Sequence, residues 1–336
     1  MNARGDYLPS AKLALLEIRA KLLATVREHF AAHDYWEVET PILSQDVVVD
    51  AHLEPFAVPW REDGGPGTMY LQTSPEFGMK RLLAAGAKAI YQVTRAFRKG
   101  EQGPRHNPEF TMVEWYRAGD THHDQMDFVE GLVSAVISAS PRLRDVTPRL
   151  TRPFARLSYD EAFETAIGCK VLSLSTIELA QLARRLDIVV PESIDENDRD
   201  GWLNLLLAEK VEPTLGPEVP TFLYDYPASQ SALARIRNDA IPVAERFELY
   251  MNGIELCNGY HELTDPAELR RRMAVQAAIR AGDGRPALPD QNRLLDAMEA
   301  GLPASSGVAL GFDRLVMLAV GAQSIDEVIA FPFDRA

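Results

Sequence analysis

The chain has 336 residues, 46% of them hydrophobic, so it can bury a full core and belongs to neither the disordered nor the fibrous classes of protein. With 35 Lys and Arg against 49 Asp and Glu, its formal net charge is -14. This disfavours the broad basic surface that most nucleic-acid binders use, although net charge does not exclude a local basic patch.

Cysteine usage and hydropathy bear on where the protein works. Cys169 and Cys257 are far apart in sequence and outside any metal-ligand spacing, so they predict neither a disulfide framework nor a structural zinc site. No apolar run approaches the roughly 18 residues of a spanning helix, and the N-terminus has no apolar signal core. We therefore expect a soluble, cytoplasmic protein.

The first predicted element is a helix over residues 11–33 that follows a cap at Ser10. The next stretch, WEVETPIL, is β-like, and its Pro41 must lie at a strand end or an unpaired edge because proline cannot donate to a ladder. The helix has apolar residues at helical spacing, which predict one buried face: Leu15, Ile18, Leu22, Val26 and Phe30.

Two alternating stretches then predict a pair of strands. AIYQVTRAFR at 89–98 and FTMVEWYR at 110–117 are joined by the polar loop KGEQGPRHNPE, a pattern that favours an antiparallel pair. Residues 124–139 have a helical pattern. Residues 158–212 are helical and acidic and carry no recognisable chemistry, so we interpret about 158–212 as a peripheral helical insertion.

The second half of the chain predicts a hairpin and a terminal strand and helix. Asn252-Gly253 lies between strand-like runs in ERFELYMNGIELCNGYHEL and is the strongest short-range hairpin signal available. Residues 266–300 have a charged, helical pattern. SGVALGFDRLVMLAVG predicts a glycine-rich strand end that leads into an apolar helix.

In the strand at 110–117, the two-residue period places Phe110, Met112, Glu114 and Tyr116 on one face. Taken alone, this pattern favours a polar pair on a solvated face by roughly two to one. The sharper interpretation is a pocket floor, where Glu114 holds an ammonium and Phe110 stacks on a planar base.

Three further residues are ambiguous when taken singly. Arg98 ends the preceding strand and either clamps carboxylate and phosphate groups in the same space or is an ordinary surface arginine. His106 is a lone loop histidine, a type that is usually solvated. Arg314 lies on the first turn of the last helix, where a surface cation is the ordinary interpretation.

The predicted hairpin carries Glu248, Glu255 and Glu262, which are close in space if its strands pair. Mg²⁺ prefers oxygen ligands and is commonly held by one or two carboxylates together with substrate phosphates. Strict alternation would place Glu255 on the face opposite Asn258 and Glu262. A common site therefore requires a β-bulge between residues 255 and 258.

Taken in order, these segments resemble the three motifs of the class II aminoacyl-tRNA synthetases. Pro41 lies in the first, FRKGEQGPRHNPEF is the second and GFDR the third. RHNPEFTMVEWY, ERFELYMNGIELCNGYHELTD and SGVALGFDRLVMLA are specifically similar to the lysyl subgroup. The resemblance covers nearly the whole chain. It implies a single catalytic domain over 1–336 with an α+β fold, in which helices flank an antiparallel β-sheet. It also implies that this domain binds ATP and Mg²⁺ and forms a homodimer through the first motif.

The resemblance also implies roles for individual residues. Arg98 would bridge the substrate carboxylate and the α-phosphate, and Arg314 would cover the adenine opposite Phe110, so these arginines are the expected catalytic groups. Glu248 and Glu255 would hold Mg²⁺. Other expected nucleotide contacts are His106, Asn107, Phe110, Glu255, Leu256 and Gly311. The expected contacts of the amino acid are Ser74, Glu76, Glu114, Tyr116, Asn258, Glu262 and Ala309.

Three departures from the lysyl pattern bear on which substrate and acceptor we expect. The first motif begins near Tyr35, which leaves no room for the anticodon-binding β-barrel of lysyl-tRNA synthetases. Ala309 replaces a glycine, so a methyl group intrudes beside the amino-group site. Lys99 and Gly100 follow Arg98 where FRNE is usual, which removes a carboxylate on the adenine side that Glu101 could replace.

The first two departures, with PASQSALA and EVIAF, are similar to the stand-alone synthetase paralogues that ligate (R)-β-lysine to elongation factor P. The resemblance implies that the chain activates (R)-β-lysine or lysine with ATP and has elongation factor P as its partner, without stable tRNA binding. Two alternatives remain: a truncated lysyl-type enzyme that charges tRNA or another amine with α-lysine, and a catalytically inactive paralogue that binds an amino acid or partner as a regulator.

Overall fold

A computed structural model of the chain describes residues 7–48, 50–51, 53–62, 65–142, 149–192, 194–290 and 292–336. The helices are α1 Leu13–Ala32, α2 Glu76–Ala84, α3 His122–Ser138, α4 Tyr159–Ile167, α5 Thr176–Arg185, α6 Arg199–Leu206, α7 Pro266–Gly282, α8 Arg293–Gly301 and α9 Phe312–Val320. The strands are β1 Trp36–Glu37, β2 Leu43–Ser44, β3 Ala57–Glu62, β4 Gly65–Leu71, β5 Ala89–Phe97, β6 Glu109–Ala118, β7 Ala155–Ser158, β8 Thr221–Pro227, β9 Ile236–Arg237, β10 Val243–Met251, β11 Ile254–His261 and β12 Ser305–Gly311.

The described residues divide into two compact units. The first draws on Met1–Thr121, Gly131–Val146 and Leu263–Ala336, and the second on His122–Glu130 and Thr147–Glu262. The expectation of a single catalytic domain stays a prediction, and its residues 1–6, 49, 52, 63–64, 143–148, 193 and 291 lie outside the described part.

The first unit is built on strands in the order β1-β5-β6-β12. β1 pairs with β5 in parallel, whereas β5–β6 and β6–β12 are antiparallel, so the predicted pairing of 89–98 with 110–117 is confirmed. A separate small sheet has the order β2-β4-β3. Pro41 lies between β1 and β2 and interrupts neither, as its missing N–H requires.

The apolar face of α1 packs on this sheet. Leu15, Leu22, Val26 and Phe30 are buried, as their spacing predicts. The Phe30 ring stacks on Tyr91 of β5, with centroids 4.2 Å apart, and meets Trp115 of β6 at 5.3 Å. Burial of such a stripe, rather than helix propensity, supplies most of the stability of a helix in a folded domain.

The predicted cap at Ser10 is wrong. α1 begins at Leu13, and Lys12 at its N-cap position makes no side-chain capping bond. Ser10 is two residues too early to reach the first free N–H groups of the helix. Its hydroxyl instead lies 2.9 Å from the carbonyl oxygen of Asp326 and 3.0 Å from that of Ile329, and it holds the C-terminal turns.

The second unit has strands in the order β11-β10-β8-β7, and β9 pairs with β10. β10 is antiparallel to both β11 and β8, whereas β7 is parallel to β8. Asn252 and Gly253 form the turn between β10 and β11 with φ of 52° and 64°. Positive φ at both central residues is the geometry of a type I′ hairpin turn, so this prediction is confirmed.

Helices α4, α5 and α6 occupy the segment predicted to be helical. Ser158 and Ser175 form capping boxes at the starts of α4 and α5, and the side chain of Asp198 caps α6. The inward residues of these helices pack in one core with residues of β8 and β10, among them Tyr159, Phe163, Leu179, Trp202, Leu223 and Tyr250. That the segment is an insertion stays a prediction.

The predicted helix over 266–300 is broken. α7 ends at Gly282 and α8 begins at Arg293. The intervening residues include Gly284, with φ of 69°, and two prolines, none of which continues a helix. Because the residues on both sides of this interruption are similarly charged, the sequence pattern does not indicate it.

The fold class is confirmed as α+β, with largely antiparallel sheets against which helices pack, including α2 and α9 on β6 and α4 on β8. Within the described residues, we find no helix that is both long and apolar enough to cross a membrane.

Candidate active site

Glu114 lies in the middle of β6 and is the best-defined candidate group of the first unit. Its side chain is buried, with 1% of the residue exposed. The hydroxyl groups of Tyr116 and Ser74 donate to its two carboxylate oxygens at 2.6 and 2.8 Å. The predicted shared face of Glu114 and Tyr116 is therefore confirmed, and the alternative of a solvated face is wrong.

The surroundings of Glu114 raise its pKa to about 7. Burial is the largest cause and the nearby Glu76 carboxylate is the second, while the hydrogen bonds from Tyr116 and Ser74 lower the pKa. A buried carboxylate that holds two hydroxyl donors and lacks a full counter-charge is a suitable acceptor for a ligand ammonium.

Glu76 begins α2, next to Ser74. Its backbone N–H donates to the Ser74 hydroxyl oxygen at 3.0 Å, so the turn before α2 brings both residues toward β6. Lys80, one helical turn further on, lies with Nζ 2.5 Å from Oε1 of Glu76 and 5.9 Å from the Tyr116 ring centre. Sequence reasoning missed Lys80, although Glu76 and Lys80 have the i, i+4 spacing of helical ion pairs.

Ala309 lies directly opposite Glu114 where β12 pairs with β6. Residues that face each other across an antiparallel pair project to the same side of the sheet. The Ala309 methyl group is therefore on the side of the Glu114 carboxylate. Gly311, two residues on, faces Met112 and is the N-cap of α9.

Arg98 directly follows β5 and turns back toward β6. Its guanidinium carbon lies 5.0 Å from the centre of the Phe110 ring, and Nη1 is 3.7 Å from Oε1 of Glu101. Glu101 thus supplies a carboxylate beside Arg98, where the second motif lacks its usual glutamate. Nε of Arg98 is buried and has no hydrogen-bond partner among the described residues.

Arg314 and His106 are brought together by α9 and the loop between β5 and β6. Nη2 of Arg314 lies 2.6 Å from Nε2 of His106, and Nε lies 3.4 Å from the carbonyl oxygen of Arg105. Burial, and then the Arg314 charge, lower the pKa of His106, so its ring is neutral and can accept from the guanidinium. Arg314 therefore contacts the loop between β5 and β6, and its hydrogen-bonded atoms are at the surface. Its expected role at the adenine stays a prediction.

Asn107 is engaged at both ends of its side chain. Its Nδ2 donates to the carbonyl oxygen of Glu109 at 2.6 Å, and its Oδ1 accepts from the N–H of Phe333 at 2.9 Å. Asn107 therefore connects the loop between β5 and β6 to the C-terminal turn. Its expected contact with the nucleotide stays a prediction.

Asp313, which sequence reasoning also missed, fixes the start of α9. One carboxylate oxygen accepts from the N–H of Thr111 on β6 at 2.7 Å, and the other lies 2.6 Å from Arg19 of α1. Its position just before Arg314 in GFDR is the signal that could have found it.

In the second unit, Glu248 forms a buried polar network. Tyr226 and Tyr250 donate to its Oε2 at 2.7 and 2.6 Å, and Arg246 donates to its Oε1 at 2.6 Å. Arg246 also donates to the carbonyl oxygen of Gln230 at 2.9 Å. Sequence reasoning missed the three partners of Glu248, although Arg246 and Tyr250 lie two residues from it on the same strand face.

The β-bulge that the sequence requires is present. Tyr250 faces Glu255 and Leu249 faces Cys257, so Leu256 is the extra residue in β11. Glu248 and Tyr250 share a face of β10, and their partners Asn258 and Glu255 therefore share the corresponding face of β11. The prediction that a bulge returns Glu255 to the side of Asn258 is confirmed.

The remaining hairpin residues are placed as follows. Leu256 is buried. Oδ1 of Asn258 lies 3.3 Å from Nε of Arg246. Glu262 is 2% exposed and directly follows β11, where it bridges to Ala234. Their expected substrate contacts stay predictions.

The antiparallel fold, the arginine that follows β5 and the glycine-to-helix transition into α9 define a class of protein. A family model described as tRNA synthetases class II (D, K and N) matches residues 6–335. The chain belongs to the class II tRNA synthetase family.

The curated relatives are more specific. A protein named elongation factor P–(R)-β-lysine ligase from Vibrio cholerae serotype O1 is 46% identical over 341 residues and covers 99% of both chains. Proteins of the same name from Salmonella dublin and Salmonella paratyphi B are 45% identical and cover 100% of both chains. The resemblance to this group is confirmed over the whole length.

Proposed function

We propose that this chain is an ATP-dependent ligase that attaches (R)-β-lysine, or lysine, to a lysine amino group of elongation factor P. The observation that carries the proposal is the full-length identity of 45–46% to proteins with that name. In the first step, the substrate carboxylate attacks the α-phosphate of ATP, so that an aminoacyl-adenylate forms and pyrophosphate leaves. In the second step, the acceptor amine attacks the acyl carbon and AMP leaves.

Glu114, Tyr116 and Ser74 are proposed to bind the side-chain ammonium of the amino acid. The support is a buried carboxylate whose pKa is raised to about 7 by burial and Glu76, which an ammonium would stabilise in its charged form. Glu262 is proposed to bind the same side-chain ammonium, Glu76 to bind the amino group nearer the carboxylate, and Asn258 to approach the carboxylate. The Ala309 methyl, opposite Glu114, is proposed to favour a substrate with its amino group on the β-carbon.

Arg98 and Arg314 are proposed to neutralise charge on the phosphates as the adenylate forms. No side-chain nucleophile is required, so alignment and charge stabilisation supply the rate enhancement. Phe110 is proposed to stack on the adenine, with His106, Asn107, Leu256 and Gly311 along the nucleotide. The unsatisfied Nε of Arg98 supports a bound anion as its partner.

Mg²⁺ is proposed to bind Glu255 and Glu248, since carboxylate oxygens are its preferred protein ligands. Glu255 fits this role on the face that the bulge gives it. Glu248 fits on condition that Arg246 gives up its 2.6 Å bond to Oε1, because that guanidinium occupies the oxygen a cation would take. When bound, Mg²⁺ supplies positive charge to the phosphates.

We further propose a cytoplasmic homodimer that does not bind tRNA stably. The net charge of -14 supports the lack of stable tRNA binding, because a tRNA-binding surface requires cations to neutralise phosphates. The alternative is a lysyl-type enzyme that charges tRNA or another amine with α-lysine. It is favoured by the match to a synthetase family model.

The activation step is tested by ATP–pyrophosphate exchange that depends on (R)-β-lysine. The Arg98→Ala variant should lose this exchange by at least about 100-fold, the order that removal of a charge-stabilising donor produces. Arg95→Ala, which removes a half-exposed arginine of β5 three residues before Arg98, is the matched control and should exchange normally. Undiminished exchange by the Arg98 variant would contradict the proposed mechanism.

A further inference from the structure

A cluster of three metal-ligand side chains lies in the second unit, among residues with no role in the proposed reaction. His122 begins α3, Glu245 lies in β10 and His261 ends β11. One ligand atom of each residue lies within 4.8 Å of those of the other two, and all three residues are buried. Nδ1 of His261 is 3.0 Å from Oε2 of Glu245.

His122 is the unusual member of this cluster. It is 2% exposed, and neither of its ring nitrogens has a hydrogen-bond partner among the described residues. A buried imidazole without partners costs free energy, and such a group calls for a ligand or an ordered water. The neutral imidazole is the form in which histidine coordinates metals.

Charged groups around the cluster leave it suitable for a cation. Arg235 donates to both oxygens of Glu245 at 2.6 and 3.0 Å. Arg237 lies 3.9 Å from Oε1 of Glu245 and is paired more closely with Asp225 and Asp239, at 2.6 and 2.8 Å. Asp124 acts electrostatically on His261. Four carboxylates (Asp124, Asp225, Asp239 and Glu245) against two guanidinium groups leave a formal charge of 2 minus 4, or -2.

We propose that His122, Glu245 and His261 bind one divalent ion of the zinc class. Two imidazoles and a carboxylate are a ligand set that Zn²⁺ and Co²⁺ accept, with a water in the fourth position. In a tetrahedral site, bonds of about 2.1 Å place ligand atoms about 3.4 Å apart. The largest separation, at most 4.8 Å, thus closes by about 1.4 Å through side-chain rotation. Arg235 donates to both oxygens of Glu245, so coordination requires that the guanidinium gives up one of these bonds, and its positive charge lowers the affinity.

The ion would fasten the start of α3 to the end of β11. Because Asn258 and the bulge at Leu256 lie on the same strand, an ion at His261 would fix the strand that carries them. This role is structural and separate from the proposed Mg²⁺ at Glu248 and Glu255. His122 is more than a hundred residues from Glu245 and His261 along the chain, so no short sequence motif indicates the site.

The site is tested by stripping the purified full-length chain with a chelator, dialysing it against Zn²⁺ and measuring bound zinc by atomic emission. A parallel titration with Co²⁺ follows the visible absorption that is typical of a tetrahedral ion. We expect about one ion per chain, intense Co²⁺ bands and a Zn²⁺-dependent rise in Tm. His122→Leu and His261→Ala should each weaken binding at least tenfold and remove the Co²⁺ bands.

His123→Ala is the matched control, since His123 adjoins His122 in sequence and its ring lies 4.1 Å from that of His122, but it is not one of the three ligands. It should retain full binding. Circular dichroism establishes whether each variant is folded. If a variant is unfolded, the Zn²⁺ and Co²⁺ binding of the unaltered chain is the test. Absence of stoichiometric Zn²⁺ or Co²⁺ binding by the unaltered chain would show that water fills the cluster and overturn the proposal. Binding that survives both histidine substitutions would overturn it equally.

Discussion

At the scale of single residues, Glu114, Glu76 and Lys80 show how two buried carboxylates can lie close together in a folded domain. Glu114 and Glu76 are like charges in a buried setting, and Glu76 raises the Glu114 pKa. The Lys80 ammonium, 2% exposed and 2.5 Å from Glu76, compensates part of that charge. We infer that a substrate ammonium would complete the compensation at Glu114.

Glu114→Gln should therefore raise the KM for the amino acid by roughly 100-fold in pyrophosphate exchange, because losing a buried charged partner costs about 3 kcal/mol. The ATP KM should change little. Glu109→Gln, on the same strand but half-exposed, is the control. Equal effects of the two substitutions would remove Glu114 from the amino-acid site.

Amino-acid binding should also depend on pH through Glu114. Its pKa is raised to about 7, so the free carboxyl becomes protonated and neutral as the pH falls below 7. Binding an ammonium then requires loss of that proton, and the KM for the amino acid should rise as the pH falls through this range. The pH profile of kcat/KM measures this, and Glu114→Gln should flatten that limb. A limb that persists in the variant belongs to another group.

The Ala309 methyl gives a specificity prediction. Because it lies on the Glu114 side of the sheet, Ala309→Gly should open space near the substrate carboxylate and increase kcat/KM for α-lysine relative to (R)-β-lysine. Ala304→Gly, at an exposed position just before β12, is the control. An unchanged or lower ratio would show that this methyl does not set selectivity.

At the scale of elements, two local backbone features shape the hairpin of β10 and β11. A type I′ turn sets the register, and the Leu256 bulge moves Glu255 onto the face of Asn258. The turn and the need for the bulge could both be predicted, because the Asn-Gly signal and the strand period are local. Arg246 and Tyr250 share the strand face of Glu248 and were within reach of the same reasoning, but Tyr226 was not, since it lies on another strand.

Gly253→Ala tests the turn. At φ of +64° a Cβ would lie 3.1 Å from the carbonyl oxygen of Glu212, and the left-handed conformation alone costs about 1–2 kcal/mol. The free energy of unfolding, measured in urea, should fall by at least that amount. Gly282→Ala, where a Cβ meets nothing within 4 Å, should leave stability unchanged or slightly raised. Equal stability of the two variants would contradict the assignment of the turn.

The predicted cap at Ser10 and the predicted unbroken helix at 266–300 are both wrong. The first fails because the partners of Ser10 are distant in sequence, and the second because of local composition. The local sequence predicts a helix cap at Ser10, but Ser10 bonds to carbonyl oxygens 316 and 319 residues away, which no local pattern reveals. The pattern also predicts a helix through 283–292, because charged residues continue on both sides. Strand pairs and face parity, by contrast, depend on the local two-residue period and were correct for β5 and β6.

At the scale of the whole molecule, the order of three motifs identified the family, and the full-length relatives confirm it. Single residues do not identify the family, because the strand pattern alone favours a solvated position for Glu114, whereas the structure buries it. Contacts such as Arg314 with His106, at the surface, or Asp313 with Thr111, in the interior, join segments about 200 residues apart, and sequence patterns do not encode them. The roles of individual residues therefore remain proposals that the variants above address.

The central claim is the acceptor, and mass spectrometry of elongation factor P tests it most directly. The purified factor is incubated with this chain, ATP and either (R)-β-lysine or α-lysine, with tRNA offered in a parallel reaction. We predict that one lysine of the factor gains the mass of one lysyl group, fastest with (R)-β-lysine, and that tRNA gains none. Labelling of tRNA without modification of the factor would contradict the account.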